Sequence, residues 1–160
     1  MSDEPDLSYI ASLPLVKEAV AASQPTPQEE PVAAAPTPAR VLVVDDDEMV
    51  RWSTARTLRR AGFEVLEARD ADEALICMQE HGADVTVVLS DVIMPKQNGY
   101  ELGQVLRKRW PHVEVVLISG YTPVAMDMHG IETSGFRLLR KPVADLPEVI
   151  AELIETAQAT

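Results

Sequence analysis

The segment Val41-Leu42-Val43-Val44-Asp45-Asp46-Asp47 reads as a short strand that stops abruptly on three carboxylates. Four apolar residues in a row, three of them β-branched, suit a strand buried on both faces, as in a parallel sheet. The same pattern recurs along the chain. Val85-Thr86-Val87-Val88-Leu89-Ser90 runs into Asp91, Val113 to Ile118 runs into Ser119, and Phe136 to Arg140 runs into Lys141. From Val41 onward, strand and helix patterns alternate, which argues for an α/β fold built on a parallel sheet.

The intervening segments carry helix signals. Val50, Leu58 and Ala61 fall on one face of a helix closed by Gly62, and Phe63 to Leu66 makes a short second strand. Asp70 with Glu73 forms a capping-box pattern before Ala71, Ala74, Leu75 and Met78, and Gly82 stops that helix. Leu102, Val105 and Leu106 mark a third helix, ended by Trp110-Pro111. A short fourth helix is expected from Pro123 to His129. Asp145 and Glu148 cap the last helix, whose stripe is Leu146, Val149, Ile150 and Leu153. Five strands and five helices result.

In an open parallel sheet the strand C-termini line one edge, and ligands bind there. Asp45, Asp46, Asp91, Ser119 and Lys141 are expected to converge on it: three carboxylates, a hydroxyl and an ammonium. That set suits a divalent cation and a phosphoryl group on an aspartate. Each group also has a plainer reading. Acidic residues cap helices, which is the expected role of Asp47, and a strand-end serine or a loop aspartate commonly starts a turn.

Val43-Val44-Asp45-Asp46-Asp47, Ser90-Asp91-Val92-Ile93-Met94-Pro95 with Gly99, Ile118-Ser119-Gly120 and Lys141-Pro142 together resemble the receiver domain of bacterial two-component response regulators. The resemblance covers residues 40–157 in order and at the family's spacing. It implies a flavodoxin-like, doubly wound sheet of five parallel strands in the order 2-1-3-4-5, with right-handed crossovers. It implies that Asp91 accepts a phosphoryl group from a histidine kinase or a histidine phosphotransfer protein. Mg²⁺ would be held by Asp45, Asp46, Asp91 and the backbone carbonyl of Ile93. Lys141 would pair with Asp91 or its phosphoryl oxygens, ahead of a cis bond to Pro142, and Ser119 would bind a phosphoryl oxygen.

Activation in this family draws that hydroxyl inward and lets an aromatic side chain three residues before the lysine rotate. Here the position is Leu138, a departure that leaves the phosphoryl chemistry intact and removes the usual aromatic. Phe136, on the same side of the strand, is the one substitute nearby. Tyr121 and Ile93 lie where they would tune water access and the lifetime of the phosphoryl group. The output is expected through the face made by the fourth helix, fifth strand and fifth helix, or by onward transfer to an unknown partner. The only catalysis implied is self-phosphorylation and autodephosphorylation.

Residues 1–39 differ in composition, with seven of the twelve prolines and no glycine, and read as a flexible Pro/Ala-rich tail or linker. Within them Leu7 to Pro14 loosely resembles the final strand of histidine-kinase ATP-binding domains, which suggests the C-terminal receiver of a hybrid kinase. A formal charge of −12 argues against a nucleic-acid-binding surface, and no room is expected after residue 157 for a DNA-binding output domain. The clusters Arg56, Arg59, Arg60 and Arg107-Lys108-Arg109 suit late helix turns. The lone Cys77, the absence of an apolar run of about 20 residues and the acidic start point to the cytoplasm.

Two rivals differ in class. A haloacid-dehalogenase phosphatase would use Asp45-x-Asp47, yet it leaves Asp91 and the Met-Pro-x-x-x-Gly turn unexplained. A pseudo-receiver, serving only as a binding module, usually lacks one of the acids or the lysine. His81, His112 and His129, together with Trp52, Trp110, Met126 and Met128, read as structural or surface residues.

Overall fold

A computed structural model describes residues 38–128, 130, 133 and 135–158. The expectations for residues 1–37 and for His129 lie outside the described residues. Five strands, β1 (Arg40–Val44), β2 (Glu64–Ala68), β3 (Val85–Asp91), β4 (Glu114–Ser119) and β5 (Arg137–Arg140), pair in parallel in the order β2-β1-β3-β4-β5. Among the described residues the helices are α1 (Glu48–Arg60), α2 (Ala71–His81), α3 (Gly99–Arg109), α4 (Pro123–Met128) and α5 (Leu146–Gln158).

The period of two along each strand sorts the core into two layers. Leu42, Val44, Val88, Val115 and Leu117 face Ala74 and Met78 of α2, Leu102 and Leu106 of α3, and Met126 of α4. Val41, Val43, Leu89, Val116 and Ile118 face Ala55 and Leu58 of α1 and Leu146, Ile150 and Leu153 of α5. Both sheet faces are therefore covered, which is why these strands read as continuous apolar runs. Each fully buried aliphatic side chain contributes about 1.5–3 kcal/mol of transfer free energy.

Element ends moved by a few residues from the sequence reading. β2 starts at Glu64 and runs on to Ala68, β4 takes in Ser119, and β5 starts after Phe136. Ala61 is the exposed C-cap of α1, and Ala55, one turn before Leu58, fills the core position expected of it. Val105 and Val149 are half-buried, while Gly103 and Ile154 turn inward.

The caps explain where the helices begin. Asp47 accepts hydrogen bonds from the amides of Met49 and Val50 at 2.9 and 3.1 Å. Asp70 accepts from Glu73 N–H, but the Glu73 carboxylate returns to the amide of Arg69, so the box closes one residue earlier than the motif suggests. A complete capping box joins Asn98 and Glu101, at the start of α3.

Candidate functional site

Strand register brings the predicted residues to one edge. Val44 pairs with Ser90, so Asp45 leaves β1 beside Asp91 at the end of β3. Asp91 pairs with Ile118, and Ser119 pairs with Arg140, so Ser119 and Lys141 follow on the same rim. Carboxylate oxygens of Asp45, Asp46 and Asp91 lie within 4.8 Å of one another. Asp45 and Asp91 are buried, and Asp46 is exposed. Three hard oxygen donors this close are a donor set suited to Mg²⁺, which takes one or two carboxylates and keeps its remaining positions for water or phosphate. The residues present fit that ion.

Lys141 reaches across from the far strand. Its Nζ donates to Asp45 Oδ2 at 2.8 Å and to Asp91 Oδ2 at 3.3 Å. The nearer partner is thus Asp45, where the sequence pointed to Asp91. One ammonium between two carboxylates offsets their mutual repulsion. Burial pushes the Asp91 carboxyl up to about 6 despite the opposing pull of Lys141, and the charge of Asp45 adds to the rise. Burial alone would lower the Lys141 ammonium, but its hydrogen bond to Asp45 and the charges of Asp91 and Asp45 outweigh it and hold the group above the ordinary lysine range. The Lys141–Pro142 peptide bond is cis.

The loop after β3 is shaped around Asp91. Ile93 N–H donates to Asp91 Oδ1 at 3.4 Å, and Gly99 N–H donates to Val92 O at 2.7 Å. A Cβ at Gly99 would overlap the Asp91 carbonyl oxygen, so the glycine of the Met-Pro-x-x-x-Gly turn is required by close backbone approach. Ser119 is buried, and its Oγ accepts the Tyr121 amide at 3.0 Å. The Tyr121 and Ile93 side chains are exposed at the rim.

Two readings change on these facts. The Asp47 carboxylate caps α1 and Asp46 takes its place in the cluster, which removes the Asp-x-Asp pairing of Asp45 with Asp47. Phe136 is clamped rather than poised. The Arg107 guanidinium stacks 3.9 Å from its ring centroid, Tyr100 meets it edge-on at 5.6 Å, and Gly103 lies beneath the ring with no room for a Cβ. Arg107 also donates to the Gly135 carbonyl. Leu138 packs against the same core layer.

The sequence of residues 41–154 matches the family model for the response regulator receiver domain. The chain belongs to that family. Among similar proteins, the sensor kinase CckA of Brucella abortus is 36% identical over 119 residues, which are 73% of this chain and 13% of that protein. The response regulator MprA of Mycobacterium sp. (strain KMS) is 34% identical over 116 residues, 72% of this chain and 49% of the regulator. The chain thus spans half or less of the length of these relatives. The crystal structure of a CheY-like response regulator receiver domain protein from Methanospirillum hungatei JF-1 superposes with a TM-score of 0.67 at 27% identity, covering 77% of this chain and 98% of that one. The receiver's doubly wound strand order is therefore that of the family.

Sequence reasoning missed Arg51. Its Nη1 donates to the Asp45 carbonyl at 2.8 Å and its Nε stands 3.6 Å from Glu67 Oε1. No motif marks it; only the pairing of Val43 with Glu67 brings that carboxylate to the helix. Among the described residues, no helix is long and apolar enough to cross a membrane.

Proposed function

We propose that this receiver, residues 40–157 with the preceding residues as a tail, takes a phosphoryl group from a phosphohistidine onto Asp91. The observation that carries the reading is the meeting of Asp45, Asp46, Asp91 and Lys141 at one strand edge. A carboxylate oxygen of Asp91 attacks phosphorus in line, the P–N bond breaks, and its electron pair stays on the imidazole nitrogen. With its carboxyl at about 6 in the metal-free protein, Asp91 is mostly ionised at neutral pH and competent as a nucleophile. Mg²⁺, when held by Asp45, Asp46, Asp91 and the Ile93 carbonyl, supplies positive charge against the phosphoryl oxygens. Lys141 swings between Asp45 and the phosphorylated Asp91, and the Ser119 hydroxyl turns to a phosphoryl oxygen.

The donor is a histidine kinase or a histidine phosphotransfer protein in a two-component phosphorelay, working in the cytoplasm. Similarity to a segment of a sensor kinase and to response regulators supports either a hybrid-kinase receiver or a stand-alone regulator. With Leu138 in the aromatic's usual place and Phe136 clamped on α3, output relies on Ser119 and its loop to Tyr121, or on onward transfer.

Intact mass after incubation with acetyl phosphate tests the reading. A single phosphoryl adduct that requires Mg²⁺ and is lost in Asp91→Asn is expected. An adduct retained in Asp91→Asn, or none on the folded wild-type protein with Mg²⁺, refutes it.

A further inference from the structure

Arg51 lies on α1, six residues after Asp45, with its side chain 16% exposed. Its guanidinium serves two acceptors at once: Nη1 donates to the Asp45 carbonyl at 2.8 Å, and Nε faces Glu67 Oε1 at 3.6 Å. Glu67 is itself fixed, because its Oε2 lies 3.1 Å from Arg59 Nη2, which also donates to the Val65 carbonyl. Two cations of α1 therefore grip β2, and Arg51 extends that grip to the loop carrying the carboxylates.

The atom that Arg51 holds belongs to the peptide unit joining Asp45 to Asp46. The Asp45 amide donates to Ala68 O at 3.1 Å, and its Oδ1 accepts from Asp47 N–H at 2.9 Å. These bonds fix Asp45 itself. The direction in which the chain leaves toward Asp46 depends on the orientation of the next peptide plane, whose oxygen Arg51 binds. Asp46 is exposed, yet its carboxylate must stay within 4.8 Å of Asp45 and Asp91. Packing does not place an exposed side chain; here the backbone does.

We propose that Arg51 is a positioning residue for the divalent-cation site, holding the Asp45 carbonyl so that the Asp46 carboxylate remains opposite Asp91. The inference rests on the Mg²⁺ reading given above. It has a chemical signature, because Mg²⁺ demands near-ideal octahedral geometry whereas Ca²⁺ accepts a looser set of oxygens. Loosening the Asp45–Asp46 turn penalises Mg²⁺ more than Ca²⁺. Arginine's planar fork meets both the carbonyl and Glu67; the point charge of lysine serves one of them well.

The test is a backbone-amide NMR titration of the full chain with MgCl₂ and, separately, CaCl₂. Arg51→Met is expected to weaken Mg²⁺ binding about tenfold, as lost outer-shell partners do, and Ca²⁺ binding by less than about threefold. Arg51→Lys is expected to fall between, about threefold weaker for Mg²⁺. Wild-type Mg²⁺ affinity in Arg51→Met, or equal losses for the two ions, overturns the proposal. If Arg51→Met does not fold, Arg51→Lys decides, and wild-type Mg²⁺ affinity there overturns it. Absence of any Mg²⁺-dependent shift around Asp91 in the wild-type protein would instead overturn the metal reading, and the role of Arg51 with it.

Discussion

Asp91→Asn is expected to make the metal-free protein more stable at neutral pH, although it removes the central residue of the site. Folding raises the Asp91 carboxyl from 3.8 to about 6, chiefly by burial and also by the charge of Asp45. Between those values the folded state keeps a proton that the unfolded chain has released. Stability therefore falls as pH rises through this window, and the loss is complete above the folded value. A shift of about two units at about 1.4 kcal/mol each bounds the effect near 3 kcal/mol. The Asp91 side chain is only 13% exposed by surface area, yet it lies at an open rim where water screens part of the charge. Discounted for that screening, about 1–2 kcal/mol remains. Asparagine keeps the shape and removes the charge, while Lys141 retains Asp45 at 2.8 Å. Urea denaturation in chelator from pH 4 to 8 is the assay. The variant should exceed the wild type by about 1–2 kcal/mol at pH 7.5, with the gap closing toward pH 4. Saturating Mg²⁺ should reverse the order by binding the wild-type site more tightly. A variant that is less stable in chelator at pH 7.5, or a gap that does not change with pH, would refute the electrostatic account of Asp91.

Two further outcomes concern the far strand and its anchor. Lys141→Gln removes the main pull that lowers Asp91, so ¹³C carboxyl NMR of the chelated variant should place its titration above about 6 and above that of the wild type; no rise would mean that Lys141 does not screen Asp91. Gly103→Ala would set a Cβ 2.9 Å from the Phe136 ring, which Arg107 and Tyr100 hold in place. Overpacking should outweigh the gain in helix propensity and cost about 1 kcal/mol net in urea denaturation, with Phe136→Ala in the same chain relieving the clash. Greater stability of Gly103→Ala alone would show that the ring yields freely.

The alternation of strand and helix was legible in the sequence alone, because runs such as Val41–Val44 and Val87–Leu89 are apolar on both faces and a parallel sheet is the arrangement that buries both. It also marked Asp45, Asp46, Asp91, Ser119 and Lys141, since polar groups placed where apolar strands end must lie on one edge of such a sheet. The caps at Asp47 and Asp70 were legible because a capping side chain acts on amides two or three residues away. What lies far apart in the chain was not. That Lys141 sits nearer Asp45 than Asp91, and that Arg51 joins the Asp45 carbonyl to Glu67, depends on distances set by strand register and helix packing. The fate of Phe136 was likewise decided by α3, where a missing Cβ at Gly103 and the guanidinium of Arg107 make a seat for the ring. Local pattern records which face a residue shows; only the tertiary structure brings two such faces to within bonding distance, and the charges of this site act over that distance.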